Sequence, residues 1–221
     1  MRGTKYKILA LLKQSKAIVS GESLAKELKV SRTAIWKSIR DLEKLGYQIE
    51  HLANGYRFLS SNVLEAEEIA FDALLAENIF IEKQIDSTMN AAKVAGMNHQ
   101  ATPALFLTET QTGGRGRYGR SFFSPGGQIY MTLLLEPNRT FEELPQYTLL
   151  TAVAVASAID EVTGKTCSIK WGNDIFLNGK KVCGILSEAM SDFETGQISH
   201  VTIGIGLNFA IPNEQFPEEL Q

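Results

Sequence analysis

Cysteine is nearly absent from this chain, which carries two thiols, Cys167 and Cys183, in 221 residues. Both sit inside apolar runs and neither has a partner at metal-site spacing, so a disulfide framework or thiolate metal centre finds no support. They read instead as small buried hydrophobes. Histidine is equally scarce: His51, His99 and His200 fall in no nucleophile motif, which leaves a Ser-His-Asp mechanism without a basis. No cluster of metal ligands is visible, so no metal residues are expected. No apolar run reaches the roughly 20 residues of a bilayer span, and the opening "MRGTKYKILALLKQS" carries charge through its apolar stretch, unlike a secretory signal. The expectation is a soluble, cytoplasmic protein with no membrane partner.

What is present is enough apolar residue, 44%, to build real cores, and an uneven distribution of charge. Residues 1–60 hold 12 Lys and Arg against 5 Asp and Glu, a net of +7; residues 61–221 hold 10 against 20, a net of −10. A basic module joined to an acidic one points to a polyanion partner for the first alone. A domain boundary near Ser60 follows, giving domains 1–60 and 61–221.

In the basic part, Ile8, Leu9, Leu11 and Leu12 follow helical spacing. "GESLAKELKVSRTAIWKSIRDLEKLG" reads as a short helix to Leu28, a tight turn through Val30, and a longer helix capped by Ser31 and ended by Gly46. Ile35, Ile39 and Leu42 take its core face, leaving Arg32, Thr33, Lys37 and Arg40 to project outward. That array suits a DNA groove, with Arg32 and Thr33 near the base edges and Lys37 and Arg40 on phosphates. Trp36 is assigned to the core. "YQIEHLANGYRFLS" alternates around Asn54-Gly55, the mark of a two-residue hairpin turn. Helix-turn-helix plus hairpin makes a winged helix; the alternative is a three-helix packing module with a solvated basic face.

In the acidic part, "NVLEAEEIAFDALLAE" reads as an amphipathic helix capped by Asn62. A strand "NIFIEKQI", a helix "DSTMNAAKVA" and strands "PALFLTETQ" and "QIYMTLLLEP" come next. Between the last two strands lies "TGGRGRYGR", Thr112–Arg120. Gly114, Gly116 and Gly119 match a dinucleotide fingerprint, even to Glu136 further on, but a strand follows where the fingerprint needs a helix N-terminus. An RNA-binding arginine-glycine tract would repeat over a low-complexity stretch, and this cluster is single. "GKT" at Gly164–Thr166 has Ile159 where a phosphate loop needs its first glycine, and ends the helix "LPQYTLLTAVAVASAIDEVTG" instead. Arg115, Arg117 and Arg120, with Lys170, Lys180 and Lys181, are six of the ten cations in this half. Their clustering beside motif-like sequence suggests an anionic ligand. Asn178-Gly179 turns a hairpin that sets Lys181 on the same face as Lys170, and Gly184, Gly204 and Gly206 let a ligand approach the strands closely.

The ordered set "DST" (Asp86–Thr88), "GGRGRYGR" (Gly113–Arg120), "KWGNDIFLNGKKVCGIL" (Lys170–Leu186) and "GIGLNF" (Gly204–Phe209) resembles the successive motifs of biotin protein ligases. "VSRTAIWKSIRDLEKLG" and "ANGYRF" resemble the N-terminal domains of biotin operon repressors. The resemblance runs over essentially the whole chain and implies the bifunctional ligase/repressor class. It implies an α+β architecture: a winged helix-turn-helix domain, then a mixed-sheet biotin/lipoate-ligase-like catalytic domain. The small C-terminal β-barrel of the family, and the end of its catalytic domain, are not found in this sequence.

The same resemblance implies that ATP, with Mg²⁺ carried on it, and biotin form biotinyl-5'-AMP, and that the biotinyl group passes to a lysine of biotin carboxyl carrier protein. The adenylate would promote a homodimer that represses the biotin operon by binding operator DNA. Lys170 and Arg117 would meet the charge of the reaction. Ser87, Thr88, Met89, Gln111, Arg115, Gly116, Arg117, Lys181 and Gly184 would bind biotin, and Arg117, Phe122, Asn173 and Asn208 the nucleotide. The arginine-glycine loop is expected to be mobile when empty and to order over the adenylate. Met89, Tyr118, Phe122 and Gly172 depart from the family's asparagine, arginine, tryptophan and proline. A biotin-sensing regulator without ligase turnover is the alternative.

Overall fold

A computed structural model of the protein describes residues 3–15, 17–137, 144–170, 173–191, 197–210 and 212–217. Chain contacts divide it into two compact units, Met1–Ile69 and Ala70–Gln221, a division further along the chain than the expected Ser60.

The first unit begins with helices α1 (Thr4–Gln14), α2 (Gly21–Leu28) and α3 (Arg32–Leu45), followed by hairpin strands β1 (Gln48–Leu52) and β2 (Gly55–Ser60). Side-chain hydroxyls set both helix starts of the helix-turn-helix: Ser20 Oγ accepts the Ser23 amide at 3.0 Å, and Ser31 Oγ accepts that of Ala34 at 3.1 Å. Between them Lys29 takes a left-handed φ of 55°. Ile8, Leu9, Leu12, Leu24, Ile35, Ile39 and Leu42 close one core.

Two expectations change here. Leu52 pairs with Gly55, so the hairpin turn is Ala53-Asn54 and Gly55 opens the second strand. Gly55 is required by crowding as well as by its φ of 151°, because a Cβ there would lie 2.3 Å from the Val19 carbonyl oxygen. Val19 and Tyr56 exchange two backbone hydrogen bonds at that point, both 2.9 Å. The helix expected from Asn62 is reduced to the single turn α4 (Ala66–Ile69). The carboxylates of this segment are drawn to the helical core: Tyr6 Oη donates to Glu65 at 2.8 Å, while Glu68 accepts from Tyr47 and pairs with Lys13. Further on, Phe71 and Leu74 form a local bridge and Ala76–Asn78 a 3₁₀ turn, so the backbone groups of that segment are satisfied outside a helix.

The second unit is built on a seven-stranded mixed sheet in the order β3-β4-β5-β9-β8-β7-β6. The strands are β3 (Ile79–Ile85), β4 (Ala104–Gln111), β5 (Ile129–Leu135), β6 (Ser168–Lys170), β7 (Asp174–Leu177), β8 (Lys180–Ser191) and β9 (Ile198–Leu207). Among the described strands only β3 and β4 run parallel; α5 (Thr88–Met97) is their crossover. α6 (Leu144–Thr163) follows β5. Strand alternation puts the two helices on opposite faces. Val201 and Ile203 of β9 pack with Ala152 and Ala156 of α6, whereas Gly204 lies under Met89 of α5. On the α5 face Ala92 packs with Ala104, Phe106 and Leu134. The hairpin joining β7 and β8 turns at Asn178 (φ 53°) and Gly179 (φ 76°), as expected.

Candidate functional site

On the α5 face, a cavity of about 710 Å³ opens between the start of α5, the arginine-glycine loop and strands β7, β8 and β9. That volume lies within the range of small-molecule sites, roughly 300–1,000 Å³. Three glycines form its floor where the strands run side by side: Gly184 of β8 pairs with Gly206 of β9, and Gly204 follows on the same face. Side chains of the protein exploit their bareness. A Cβ on Gly206 would fall 2.5 Å from the Phe122 ring, and one on Gly204 would fall 2.7 Å from Met89 Sδ. Met89 and Phe122, two of the expected site residues, thus lie directly on the glycine floor.

The loop over this floor folds on itself. Arg115 bridges Ser121, Gly116 N–H donates to Arg120 O at 2.8 Å, and Phe122 N–H donates to Gly114 O at 2.9 Å. These backbone bonds give the loop a small hairpin structure of its own. At its tip Tyr118 takes a left-handed φ of 59° and is 86% exposed. Arg117 reaches inward: one guanidinium nitrogen donates to Asn173 Oδ1 at 3.2 Å and another to Tyr118 Oη at 3.3 Å. Two residues 56 positions apart in sequence are joined in this way.

At the other end of the cavity the start of α5 is tied to the loop's stem by hydrogen bonds. Thr88 N–H and Thr88 Oγ1 both meet Gln111 Oε1, at 2.9 and 3.2 Å, and Gln111 Nε2 donates to Ser124 Oγ at 3.1 Å. Ser87 and Thr88 are buried. The preceding Asp86 accepts from Asn90 Nδ2 at 2.6 Å. That bond, with backbone amide donors and the nearby Arg115 charge, holds the Asp86 carboxyl below its usual range.

Among the described residues five cations line the cavity, Arg115, Arg117, Arg120, Lys180 and Lys181, against one carboxylate, Asp174. Asp174 is itself paired with Lys181 at 2.8 Å. The cavity is therefore cationic within a unit that is acidic overall, which suits a polyanionic ligand. The expected Ser87, Thr88, Met89, Gln111, Arg115, Gly116, Arg117, Phe122, Asn173, Lys181, Gly184 and Asn208 all contribute to its walls. Lys170 does not. Its place in β6 opposite Asp174 puts it on the cavity's face of the sheet, but its ammonium lies 5.7 Å from the Phe176 ring centroid, outside the walls. Gly172 lies outside the described residues.

Sequence reasoning missed Ser124, Phe123 and Phe216, which line or support the site. It also missed Thr132, which is buried, although a lone hydroxyl inside the apolar run "IYMTLLL" was a signal that could have been read. Phe216, which packs on Phe123 with centroids 6.1 Å apart, gave none. Cys183 is buried behind the floor, and burial pushes its thiol up to about 12. In the first unit Arg32, Thr33, Lys37 and Arg40 are all exposed along α3. Trp36, expected in the core, is 50% exposed with the Arg40 guanidinium 5.8 Å from its ring.

Residues 81–208 match the biotin/lipoate A/B protein ligase family and residues 4–57 match a helix-turn-helix domain family. The chain is 37% identical over 229 aligned residues to the bifunctional ligase/repressor BirA of Bacillus spizizenii, covering all of this chain and 70% of that protein. It is 29% identical to BirA of Escherichia coli, covering 93% of this chain and 63% of that one. Among solved structures it is similar to the Aquifex aeolicus biotin protein ligase in complex with biotin and ATP. That match has a TM-score of 0.54 and 33% identity, and covers 65% of this chain and 56% of that one. The Leishmania major biotin protein ligase in complex with biotinyl-5-AMP matches with a TM-score of 0.52 and 31% identity, over 61% of this chain and 58% of that one. The chain thus spans a little over half the length of these two solved ligases.

Proposed function

This chain belongs to the biotin/lipoate A/B protein ligase family, and on that premise we propose that it is a bifunctional biotin protein ligase and biotin operon repressor. The single observation that carries the ligase reading is the cavity itself. A buried polar end at Ser87, Thr88 and Gln111 adjoins a bare glycine floor, beyond which an arginine loop is hydrogen-bonded to Asn173. A ligand with a small polar ring, an apolar middle and an anionic end suits that sequence of surfaces.

In the first step a biotin carboxylate oxygen attacks the α-phosphorus of ATP, the acyl–phosphate bond forms, and pyrophosphate leaves with the electrons of the broken P–O bond. Two anions must approach, so positive charge brought to the reacting atoms is what the step requires. Arg117, held by Asn173, supplies one. Lys170 supplies the other by leaving Phe176, an exposed cation–π contact worth about 0.5–1 kcal/mol. In the second step the amine of an acceptor lysine on biotin carboxyl carrier protein attacks the acyl carbon and AMP departs. Magnesium is assigned to the triphosphate it accompanies, because among the described residues the one carboxylate on the cavity wall is paired with Lys181.

The exposed Arg32, Thr33, Lys37 and Arg40 of α3 enter the operator's major groove, and an adenylate-linked homodimer presents two such helices to two half-sites. No helix among the described residues is long and apolar enough to cross a membrane; we place the protein in the cytoplasm. The test is to mix the chain with biotin, MgATP and a carrier-domain acceptor and follow pyrophosphate and acceptor mass. Pyrophosphate release with a biotinyl mass increase is expected. A folded sample that binds biotin and releases none would be a biotin sensor, and the ligase reading would fall.

A further inference from the structure

Thr132 lies in the middle of β5, fully buried beneath α5, outside the cavity walls and outside every motif of the sequence. Among the described residues its hydroxyl bonds one partner, Thr88 Oγ1 at 2.8 Å. It is the hidden end of a hydrogen-bond chain whose direction follows from two groups with no choice of role. The Thr88 backbone N–H can only donate, so the Gln111 atom it meets is the amide oxygen and the other end of that amide is the nitrogen. That nitrogen donates to Ser124 Oγ, which therefore spends its own proton on the Phe122 carbonyl at 2.8 Å, a group that can only accept. Thr88 Oγ1 faces the same Gln111 oxygen at 3.2 Å and must be the donor there. With that proton spent, Thr88 accepts from Thr132.

Within this chain of bonds two capacities are left unspent, on two residues of the cavity wall: one lone pair on Thr88 Oγ1, and the second N–H of Gln111. One is an acceptor and the other a donor, side by side. A cyclic urea presents N–H donors next to a carbonyl acceptor, the complementary pattern. We infer that Thr132 is a positioning residue for recognition of the urea ring of biotin: its buried hydroxyl holds Thr88 as a hydrogen-bond acceptor toward the ligand. This rests on the reading of the cavity as a biotin site.

Removing the Thr132 hydroxyl leaves the Thr88 hydroxyl without a donor behind it. The longer 3.2 Å bond to Gln111 Oε1 is then left to hold it, so Thr88 turns its proton away from Gln111 and toward a ligand more readily, and the penalty against a ligand oxygen in place of N–H shrinks. The probes are biotin and its two cyclic carbamate analogues, each with one ring N–H replaced by oxygen, titrated into the full chain by calorimetry. The wild-type protein is expected to bind biotin at least about tenfold more tightly than at least one carbamate. Thr132→Val should weaken biotin about fivefold and that carbamate less, narrowing the discrimination, and Thr132→Ser should restore both.

Equal weakening of biotin and carbamate in Thr132→Val would mark a purely structural role and overturn the inference. So would unchanged discrimination in a folded variant. Should Thr132→Val not fold, the wild type still decides, since equal binding of biotin and both carbamates would show that Thr88 imposes no polarity. Folded wild-type protein that binds no biotin at all would instead remove the ligase reading, and this inference with it.

Discussion

Replacing Gln111 by leucine separates a residue that merely touches ligand from one that also holds the site together. Leucine keeps much of the volume but abolishes three hydrogen bonds, to Thr88 N–H, Thr88 Oγ1 and Ser124 Oγ. Thr88 is buried, so its amide is left without a partner at a cost of about 1–3 kcal/mol. Ser124 keeps its bond to the Phe122 carbonyl, and Thr88 Oγ1 keeps that from Thr132, so these hydroxyls add about 1 kcal/mol together. The sum is about 2–4 kcal/mol, which at about 2–4 °C per kcal/mol for a unit of this size lowers the melting temperature by about 5–15 °C. Scanning calorimetry of wild type and Gln111→Leu measures the shift, and biotin titration on the same samples should show affinity at least about tenfold weaker. A melting temperature within about 2 °C of wild type, with biotin binding abolished, would mean that Gln111 is a ligand contact only.

Four other outcomes are expected. Gly206→Ala places a methyl group 2.5 Å from the Phe122 ring; the ring should be displaced at about 1 kcal/mol of stability, and titration should show nucleotide binding weakened more than biotin binding. Gly55→Ala must break the Val19–Tyr56 bridge, costing about 2–4 kcal/mol, so thermal unfolding of the helix-turn-helix unit should shift down and DNA binding in gel-shift assays should weaken. Lys170→Ala should suppress pyrophosphate release about a hundredfold while leaving biotin affinity nearly intact, as single-turnover kinetics beside calorimetry would show. Burial raises the thiol pKa of both cysteines, that of Cys183 to about 12. Thiolate accumulates only as pH rises toward that value, so at pH 8 both should react slowly with a thiol reagent in the native protein and rapidly after denaturation.

Much of this protein was legible because the relevant signals are local. Ser31 and Gly46 mark the ends of α3 through bonds made within a few residues. Asn178-Gly179 specifies a turn by its own backbone preferences, and the strand that follows "TGGRGRYGR" is enough to reject a dinucleotide fingerprint. The motif residues around the cavity were likewise readable as a set, since resemblance carries their order along the chain.

The expected helix from Asn62 shows the limit of local reasoning. Its apolar spacing is real, yet Glu65 and Glu68 are taken by Tyr6 and Tyr47, and Phe71 and Leu74 satisfy each other. The hairpin turn slipped by one residue because Gly55 answers to Val19, 36 positions away, rather than to its own turn. By itself, then, the amino-acid sequence determined the capped helices, most of the strands, the charge division and many of the residues that line the cavity, because these follow from neighbours, composition and motif order. The tertiary structure decided that Phe122 and Met89 rest on the glycine floor, that Arg117 meets Asn173, that Lys170 stands outside the walls, and that Thr132 backs Thr88. Each of those depends on strand register and crossover packing between distant segments, and register is set by the whole sheet at once.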